Sequence, residues 1–440
     1  MSNSSSESQL NRRHVMQGAG ALGLAAAASL SLPRSARASG ANAAELKIGV
    51  IGSGGRGTGA ALQALRADAN TVLWSVGDMY PERIQSCLEG VAGELGDEAT
   101  KRIQAPAARQ FSGFEAYKKV LESGVDFVIL TTPPGFRPMH FKAAVDAKKH
   151  VFLEKPVAVD GPGLRMVVEA AAAAKAQKLA VVCGFCWRYN AGMRATFAQV
   201  NAGAIGEIVS VHTTYHTGTL QKRPRQADWS DMDFQVRNWW HFTWLSGDHI
   251  VEQAVHSIDR MSWATGDKRP VRATCLGGRA ARSGPEHGNA FDHFAVVYEY
   301  DDGMRAFHTC RQIDGCPSDN TDYIYGTKGS CTVNGWVPQY DVVDRSKKPL
   351  WKFEGEVPDM YQVEHDELFA SIRRGEPKWD GDLMVHSTLL AIMGRMAAYT
   401  GQTIGYQQAL ESKENLLPAR LEFGELAMPP VAIPGQTKFA

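Results

Sequence analysis

The sequence predicts an α/β fold in two parts: a parallel sheet with helices on both faces, then a region of alternating strands. Three observations predict it. Short β-branched runs alternate with helical stretches from residue 47 to about residue 184. Six glycines crowd residues 49–59, directly after the first such run. Beyond Gly206, apolar and polar residues alternate with a period of two, and Asp301-Asp302-Gly303 is typical of a hairpin turn.

The composition describes a large globular protein without a charge bias. The 440 residues are 44% hydrophobic and 21% charged, and 47 lysines and arginines balance 47 aspartates and glutamates. This balance argues against a nucleic acid or an anionic membrane as the partner, so we expect a small molecule. The seven cysteines are an odd number scattered along the chain, which is not the pattern of a disulfide framework.

The first 38 residues resemble a twin-arginine export signal. Arg12 and Arg13 precede a short apolar stretch at residues 18–32, and Ala36-Arg37-Ala38 supplies small residues for cleavage. We therefore expect removal of residues 1–38 and a periplasmic protein. An uncleaved amphipathic leader is the alternative.

The glycine run has the sequence context of a dinucleotide-binding loop. Gly52, Gly54 and Gly57 have the G-x-G-x-x-G spacing between a strand and a helix, and Asp78 ends the next strand 21 residues later. Such glycines let the backbone approach a pyrophosphate at the helix N-terminus, and the carboxylate binds ribose hydroxyls. We predict NAD, since the charge of Asp78 would repel the 2′-phosphate of NADP. A glycine-rich turn without a ligand is the alternative.

Two further strands deliver polar residues at their carboxyl ends. One is followed by Thr131 and Pro133, and the other by Glu154 and Lys155. Because ligands bind at the carboxyl ends of parallel strands, we expect these four residues to line the cofactor edge. The predicted cofactor site also includes Gly55, Arg56, Arg83 and His140.

Seven segments, in this order, resemble the Gfo/Idh/MocA family of glucose-fructose oxidoreductase and inositol dehydrogenase: IGSGGRG, GDMYPER, ILTTPP, HVFLEKPVA, GFCWRYN, GEIVSVH and EQAVHSID. The resemblance covers residues 45 to about 410. Its most specific elements are Glu154-Lys155-Pro156 and, about a hundred residues later, His256-Ser257-Ile258-Asp259.

The resemblance implies a domain order. A Rossmann NAD-binding domain is expected at residues 45–185, and an α+β substrate and oligomerisation domain with a large open, mainly antiparallel sheet at residues 186–410. An extended tail at residues 411–440 follows, as a candidate to wrap a neighbouring subunit. The free face of the open sheet predicts a homo-oligomer.

Lys155 and His256 are the predicted catalytic residues. When an alcohol is oxidised by hydride transfer, its hydroxyl proton must also leave, so a base must lie within hydrogen-bond reach of that oxygen. A lysine at a strand end beside the cofactor is desolvated enough to serve. The resemblance assigns matching residues to this proton transfer.

Residues 248–264 are predicted to form one helix, on which His249, Glu252, His256 and Asp259 share a face. The H-x-x-E-x-x-x-H spacing is compatible with zinc. A carboxylate one turn before a histidine also serves simply to orient its ring, and we predict no metal. For His249, the alternative to a functional role is that of an ordinary capping or loop histidine. Most relatives carry aspartate at the position of Glu252, which leaves its substrate contact open.

The predicted substrate site draws on two further segments. One follows the last strand of the first domain, where the resemblance implies substrate or lysine contacts by an arginine and an asparagine; bridging of the two domains is the alternative for the arginine. The other, residues 217–246, is unusually aromatic and basic, which favours a carbohydrate-reading lid, with core packing as the alternative for some tryptophans. The predicted substrate residues are Arg188, Tyr189, Asn190, Trp240, Glu252 and Asp259.

These features predict an exported NAD(H)-dependent oxidoreductase acting on a sugar, a cyclitol or a derivative. Because a periplasm holds no exchangeable pool of nicotinamide nucleotide, we expect the cofactor to stay bound and to be reset in each cycle. A redox-neutral glycosidase or epimerase of the same superfamily is the alternative. A catalytically silent sugar-binding relative is a third class, against which the presence of both Lys155 and His256 argues.

Overall fold

A computed structural model describes residues 44–440, and the predicted export signal lies outside them. The first part of the described chain contains the strands β1 (Leu46–Ile51), β2 (Thr71–Asp78), β3 (Gln110–Ser112), β4 (Phe127–Leu130), β5 (His150–Leu153) and β6 (Val181–Cys183). They pair in parallel in the order β3-β2-β1-β4-β5-β6. Since the order reverses between β1 and β4, the crevice at their carboxyl ends is where this architecture binds ligands.

Helices connect these strands, as the alternating pattern predicts. They are α1 (Gly55–Ala67), α2 (Pro81–Leu95), α3 (Ala99–Arg102), α4 (Ala116–Glu122), α5 (Arg137–Asp146) and α6 (Gly161–Ala176). β1, β4 and β5 are almost entirely buried, because helices cover both faces of a parallel sheet.

The second part begins with α7 (Ala191–Asn201) and is built on a nine-stranded sheet. Its strands are β7 (Ile208–Thr217), β8 (Arg272–Gly278), β9 (His293–Glu299), β10 (Arg305–Gln312), β11 (Thr321–Gly326), β12 (Gly329–Asn334), β13 (Tyr340–Asp344), β14 (Pro349–Lys352) and β15 (Ile404–Gly405). The order is β14-β13-β12-β11-β7-β10-β9-β8-β15. β7 and β10 are parallel and the other neighbours are antiparallel. The predicted fold class is therefore confirmed.

One face of this sheet is covered by helices. The remaining helices are α8 (Asp231–Arg237), α9 (Thr243–Ser246), α10 (His249–Glu252), α11 (Val255–Ala264), α12 (Met360–Arg374), α13 (Gly381–Thr400) and α14 (Tyr406–Glu411). α11 packs on β7 and β11, and α13 packs on β8 and β9. Phe294, Val296 and Tyr298 of β9 are buried while Ala295 between them is exposed, so the period-two pattern separates a packed face from an open one.

α12 returns to the first sheet and packs beside α1. Phe369 lies 4.9 Å from Phe127 of β4, and His365 lies 4.4 Å from Phe152 of β5, measured between ring centroids. One of the helices that cover the first sheet thus comes from beyond the predicted boundary at residue 185.

The tail at residues 412–440 contains no helix or strand and runs along its own chain. The Leu416 N–H donates to Asp160 Oδ2 at 2.8 Å, and the Leu426 N–H donates to Asp231 Oδ2 at 3.2 Å. These bonds tie the tail to its own subunit, and the expectation that it wraps a neighbouring subunit stays a prediction.

The seven cysteines are unpaired, and six of them are buried. Burial raises the pKa of the Cys183 thiol well above its ordinary value, as expected for a structural cysteine. Among the helices of residues 44–440, none is long and apolar enough to cross a membrane.

Candidate active site

The glycine-rich loop at the carboxyl end of β1 contains glycines of two kinds. Gly52 has a φ of +98°, and a Cβ there would lie 2.5 Å from a backbone nitrogen of the loop after β4. A Cβ on Gly57 would lie 2.0 Å from the Gly52 carbonyl oxygen. By contrast, a Cβ on Gly54 would come no nearer than 3.6 Å to Arg83, and one on Gly55 would meet nothing within 4 Å. The first pair permits the turn and its packing, whereas the second pair leaves bare backbone facing open space.

The open side of this loop fits the pyrophosphate of a dinucleotide. Gly54 is the N-cap of α1 and supplies no side-chain cap, so the first N–H groups of the helix remain available to an anion. Because packing does not require glycine at positions 54 and 55, close approach of a ligand accounts for them.

Asp78 ends β2 beside the loop and is 8% exposed. Its Oδ2 accepts from the Ser53 N–H at 2.6 Å and from the Ser53 hydroxyl at 3.1 Å, while Oδ1 accepts from the Tyr80 N–H at 3.1 Å. Burial raises the pKa of Asp78. These bonds fix the carboxylate against the loop, and Oδ1 retains a lone pair for a ribose hydroxyl.

Three other predicted cofactor residues surround the loop. The Thr131 hydroxyl donates to the Gly52 carbonyl and so holds the turn. Pro133 precedes a short helical turn that leads into α5. The guanidinium of Arg83 lies over Gly54.

His140 lies deeper than these residues. Its Nδ1 is 3.1 Å from the Thr132 hydroxyl, and its ring stacks on Phe136 with 6.0 Å between centroids. Burial lowers the pKa of His140 to about 3. The structure therefore places His140 behind the loop after β4, as a neutral support.

Arg56, in the first turn of α1, reaches a buried pair of carboxylates. Its Nε donates to Glu154 Oε1, and its Nη2 lies 4.0 Å from Glu364 Oε2 of α12. Glu364 is fully buried, and neither of its oxygens has a hydrogen-bond partner among residues 44–440. Burial raises the pKa of Glu364 well above its ordinary value. Glu364 could not be predicted, because no local motif marks a carboxylate that a distant helix brings to the loop.

Lys155 follows Glu154 at the carboxyl end of β5. Its Nζ donates to the Glu252 carbonyl at 2.6 Å and lies 3.5 Å from Glu252 Oε1. The Lys155 side chain is 11% exposed. α10 thus holds the lysine at the seam between the two parts of the fold.

His256, near the start of α11, lies against an aromatic wall. Its ring is 4.4 Å from Trp187 and 6.3 Å from Phe185. The ring nitrogens have no hydrogen-bond partner within the described chain. Burial, together with the positive charges of Lys155 and Arg260, lowers the pKa of His256 well below its ordinary value. The imidazole is therefore neutral near pH 7, and one ring nitrogen is available to accept a hydrogen bond from a substrate hydroxyl.

The helix predicted over residues 248–264 is interrupted. α10 ends at Glu252 and α11 begins at Val255, so His249, Glu252 and His256 do not share one continuous helix face. His249 Nδ1 lies 3.1 Å from Asp248 Oδ1. Within residues 44–440, no group of three or more His, Cys, Asp or Glu side chains is arranged to hold a metal ion.

Arg188 is engaged by two carboxylates. Its Nε donates to both oxygens of Asp259 at 3.0 Å, and its terminal nitrogens donate to Asp267 at 2.7 and 3.2 Å. Asp259 is 1% exposed and also accepts from the Ser387 hydroxyl at 2.7 Å. This geometry favours the bridging alternative for Arg188.

The other predicted substrate residues near the domain junction also have structural partners. The Tyr189 hydroxyl donates to Asp380 Oδ2 at 3.2 Å, and Asn190 Oδ1 caps α7 by accepting from the Met193 N–H at 3.0 Å. Trp240 is half-buried and packs on Trp239, with 4.9 Å between centroids. In the described structure none of the three is a hydrogen-bond or ring partner of Lys155 or His256.

The aromatic segment packs over one end of the first sheet. Its apolar side chains join the loops after β2 and β4 in what we call the closed cluster: Tyr80, Phe136, Met232, Phe234, Val236, Phe242, Trp244 and Leu245. Leu416, Leu421 and Leu426 of the tail pack against it. Trp244 is thus a packing residue, with Trp229 and Trp239 against the cluster, as the core-packing alternative describes for some of the tryptophans. The carbohydrate-reading lid stays a prediction.

Tyr215 of β7 is a site residue that sequence analysis missed. It is 8% exposed, and its hydroxyl has no hydrogen-bond partner in the described part of the chain. Burial and the nearby Glu252 carboxylate raise the pKa of Tyr215. Because a tyrosine in an alternating strand is ordinary, no local pattern could have marked it.

The first sheet, with a glycine-rich loop at its switch point, defines the class of Rossmann dinucleotide-binding domains, here joined to a second domain. Residues 46–185 match a family model described as "Oxidoreductase family, NAD-binding Rossmann fold", and residues 193–332 match "GFO/IDH/MocA C-terminal domain". Together the two models match more than half of the chain, which belongs to the Gfo/Idh/MocA oxidoreductase family.

Curated relatives are sugar and cyclitol enzymes by name. The chain is 30% identical over 210 residues to 2,7-anhydro-N-acetylneuraminate hydratase of Escherichia coli K12, covering 48% of this chain and 52% of that protein. It is 27% identical over 260 residues to inositol 2-dehydrogenase 3 of Saccharopolyspora erythraea, covering 59% and 64%. The chain thus spans about half to two thirds of the length of these relatives.

Solved structures share the fold. GenD2 from gentamicin A biosynthesis, in complex with NAD, superposes with a TM-score of 0.61 at 18% identity, over 82% of this chain and 97% of that one. The WlbA dehydrogenase of Bordetella pertussis, in complex with NADH and UDP-GlcNAcA, gives 0.61 at 20% identity, over 82% and 98%. The first domain is an NAD-binding domain.

Proposed function

We propose that this protein oxidises a CH–OH group of a sugar, a cyclitol or a derivative by hydride transfer to NAD that stays bound. One observation carries the proposal. Lys155 follows the carboxyl end of β5, and His256 packs on Phe185 and Trp187 just beyond the carboxyl end of β6, with ring nitrogens that have no hydrogen-bond partner among residues 44–440. Ring nitrogens that lack an internal partner are suited to a substrate hydroxyl.

The chain's own groups account for the movement of the proton. Bound NAD supplies the hydride acceptor. His256 accepts the hydroxyl proton, while Lys155 donates a hydrogen bond to the same oxygen and stabilises its developing charge. Glu252 holds the lysine through the 2.6 Å bond from Nζ to its carbonyl oxygen.

The test begins with the purified mature protein. After denaturation, chromatography of the supernatant is expected to yield NAD or NADH in near-equimolar amount. With a panel of sugars and cyclitols, at least one is expected to reduce the bound nucleotide, as followed by nicotinamide absorbance. A protein that neither releases a nucleotide nor binds added NAD would falsify the proposal.

Redox-neutral chemistry is the second candidate. The Escherichia coli relative carries the name of a hydratase, a reaction without net oxidation. The same base and cofactor would serve if the hydride returned to the same sugar. Release of a reducing sugar from a glycoside without net NADH would favour this candidate, whereas stoichiometric NADH and a ketone would exclude it.

Export by a twin-arginine signal remains part of the proposal and explains why the cofactor is retained. The signal rests on Arg12, Arg13 and the apolar stretch that follows them. Replacing both arginines by lysine is expected to leave the protein in the cytoplasmic fraction. Unchanged periplasmic recovery of that variant would remove the signal from the proposal.

The open face of the nine-stranded sheet supports a homo-oligomer. Leu276, Phe307 and Tyr325 lie on this face with exposures of 80%, 37% and 45%. An apolar face of this kind is typical of a protein interface. Light scattering of the wild type is expected to give a dimer or larger oligomer, and Phe307→Glu to shift it toward the monomer; a monomeric wild type would contradict this.

A further inference from the structure

An exposed tryptophan stands at the mouth of the candidate active site. Trp336, in the turn between β12 and β13, is 44% exposed. The turn is fixed, since Asn334 Oδ1 accepts from the N–H groups of Trp336 at 2.7 Å and of Val337 at 3.0 Å. A large indole held in place with much of its surface in solvent is available to a ligand.

Two contacts tie this turn to the catalytic groups. The indole N–H of Trp187 donates to the Gly335 carbonyl at 3.1 Å, and the same indole packs 4.4 Å from His256. Trp336 itself packs edge-on against Tyr215, with 5.7 Å between ring centroids. Trp187 therefore lies between the His256 imidazole and the turn that carries Trp336.

Tyr215 lies between Trp336 and the catalytic groups. Its ring touches Trp336, its hydroxyl has no internal partner, and the Glu252 carboxylate that faces Lys155 acts on it electrostatically. A hydroxyl without a partner beside an exposed indole matches the mixed surface of a pyranose, which presents apolar C–H groups on its faces and hydroxyls at its edge.

We propose that Trp336 and Tyr215 form an outer subsite that binds the second pyranose ring of a glycoside substrate, while the first ring lies at Lys155 and His256. The inference rests on the proposed function and narrows its substrate class from single sugars to glycosides of at least two rings. The indole of Trp336 stacks on the outer ring, and the Tyr215 hydroxyl hydrogen-bonds to it.

The experiment uses the nucleotide-containing protein and calorimetric titration with a panel of disaccharides, each paired with its constituent monosaccharides. The wild type is expected to bind at least one disaccharide about tenfold more tightly than either monosaccharide, and Trp336→Ala to remove that preference. Monosaccharide affinity should change less than about twofold. Tyr215→Phe, which keeps the ring, should weaken disaccharide binding by about threefold to tenfold. Val337→Ala, in the same turn, is the matched control and should behave like the wild type.

Several results would overturn the subsite. They are a wild type that prefers no disaccharide, a Trp336→Ala protein with unchanged disaccharide affinity, and an altered oligomeric state with unchanged sugar binding, which would make Trp336 an interface residue. Failure of the proposed function is seen separately, as a wild type without bound nucleotide.

Discussion

The closed cluster and the catalytic cluster, which comprises Lys155, Glu252, His256, Trp187 and Tyr215, are both rich in aromatic side chains but differ in hydrogen bonding. In the closed cluster the Tyr80 hydroxyl donates to Asp233 at 2.9 Å and the Trp244 indole donates to Gln235 at 2.8 Å. In the catalytic cluster the ring nitrogens of His256 and the hydroxyl of Tyr215 lack partners among residues 44–440. Aromatic composition therefore does not by itself distinguish a packing cluster from a candidate site, whereas reachable polar groups without partners do.

Removal of the proposed proton-handling groups should have the largest effect. Lys155→Ala and His256→Ala are each expected to lower the hydride-exchange rate by about 10²- to 10⁴-fold, because the hydroxyl proton loses its acceptor or its oxygen loses a charged donor. Stopped-flow absorbance of the bound nicotinamide measures this rate, and released nucleotide checks that NAD is retained. Lys142→Ala, on the exposed surface of α5, is the control. Wild-type exchange in either active-site variant would take that residue out of the proton transfer.

The partnered group Arg188 should instead affect stability. Arg188→Ala leaves the buried Asp259 carboxylate without its cation and is expected to cost about 3–5 kcal/mol in the free energy of unfolding. Denaturant unfolding measures this cost. Arg272→Ala breaks an exposed pair with Glu299 and should change stability by less than about 0.5 kcal/mol. A stable Arg188→Ala protein with a raised KM would instead support the predicted substrate contact. Arg188 would then belong to the site although its charge has partners.

The glycines that face open space and those that packing requires should differ in which property a substitution changes, and the expected effects are smaller. Gly54→Ala should fold normally, since its new Cβ meets no atom closer than 3.6 Å, but should weaken NAD binding by about tenfold or more. Gly57→Ala should lower stability, because its Cβ would lie 2.0 Å from a backbone oxygen. Calorimetric titration of nucleotide-free protein and thermal unfolding separate the two effects. Unchanged NAD affinity in Gly54→Ala would mean that the open backbone has no pyrophosphate near it.

Much of the fold could be predicted because its determinants are local. The predicted succession of strands and helices up to residue 184 and the predicted strands beyond Gly206 are both present, since alternation and turn residues define such elements directly. β3, with three residues, is too short to give a pattern. The break between α10 and α11 is not visible in the sequence, because residues 248–264 have helical composition throughout. Asp248, with a φ of +75° and bonds to Phe291 and Tyr399, fixes the start of α10 and not the break.

The site was predictable where strand order alone positions a residue. Asp78 ends β2 and Lys155 lies just beyond the end of β5, so topology places them at one edge. Tyr215 and Trp336 depend on how the second sheet packs around α11, which no local spacing encodes. Arg188 was assigned to substrate because the sequence cannot show that Asp259 and Asp267 already satisfy its charge.

Glu364 belongs to neither cluster. Its carboxylate oxygens have no hydrogen-bond partner among residues 44–440, but the side chain is fully buried, so no substrate can reach it. Its raised pKa means that the folded protein keeps a proton that the unfolded chain loses above about pH 4.3. The favourable contribution is complete below that pH and is lost as the pH rises toward the folded value. Relative to Glu364→Gln, the wild type should therefore lose stability progressively as the pH rises above about 4.3 toward neutrality, by less than about 1.4 kcal/mol per pH unit. Thermal unfolding across this range measures the difference, and Glu376→Gln, at an exposed carboxylate, should show none. A flat difference curve for Glu364→Gln would mean that Arg56 keeps the carboxylate ionised, which would place Glu364 among the partnered groups.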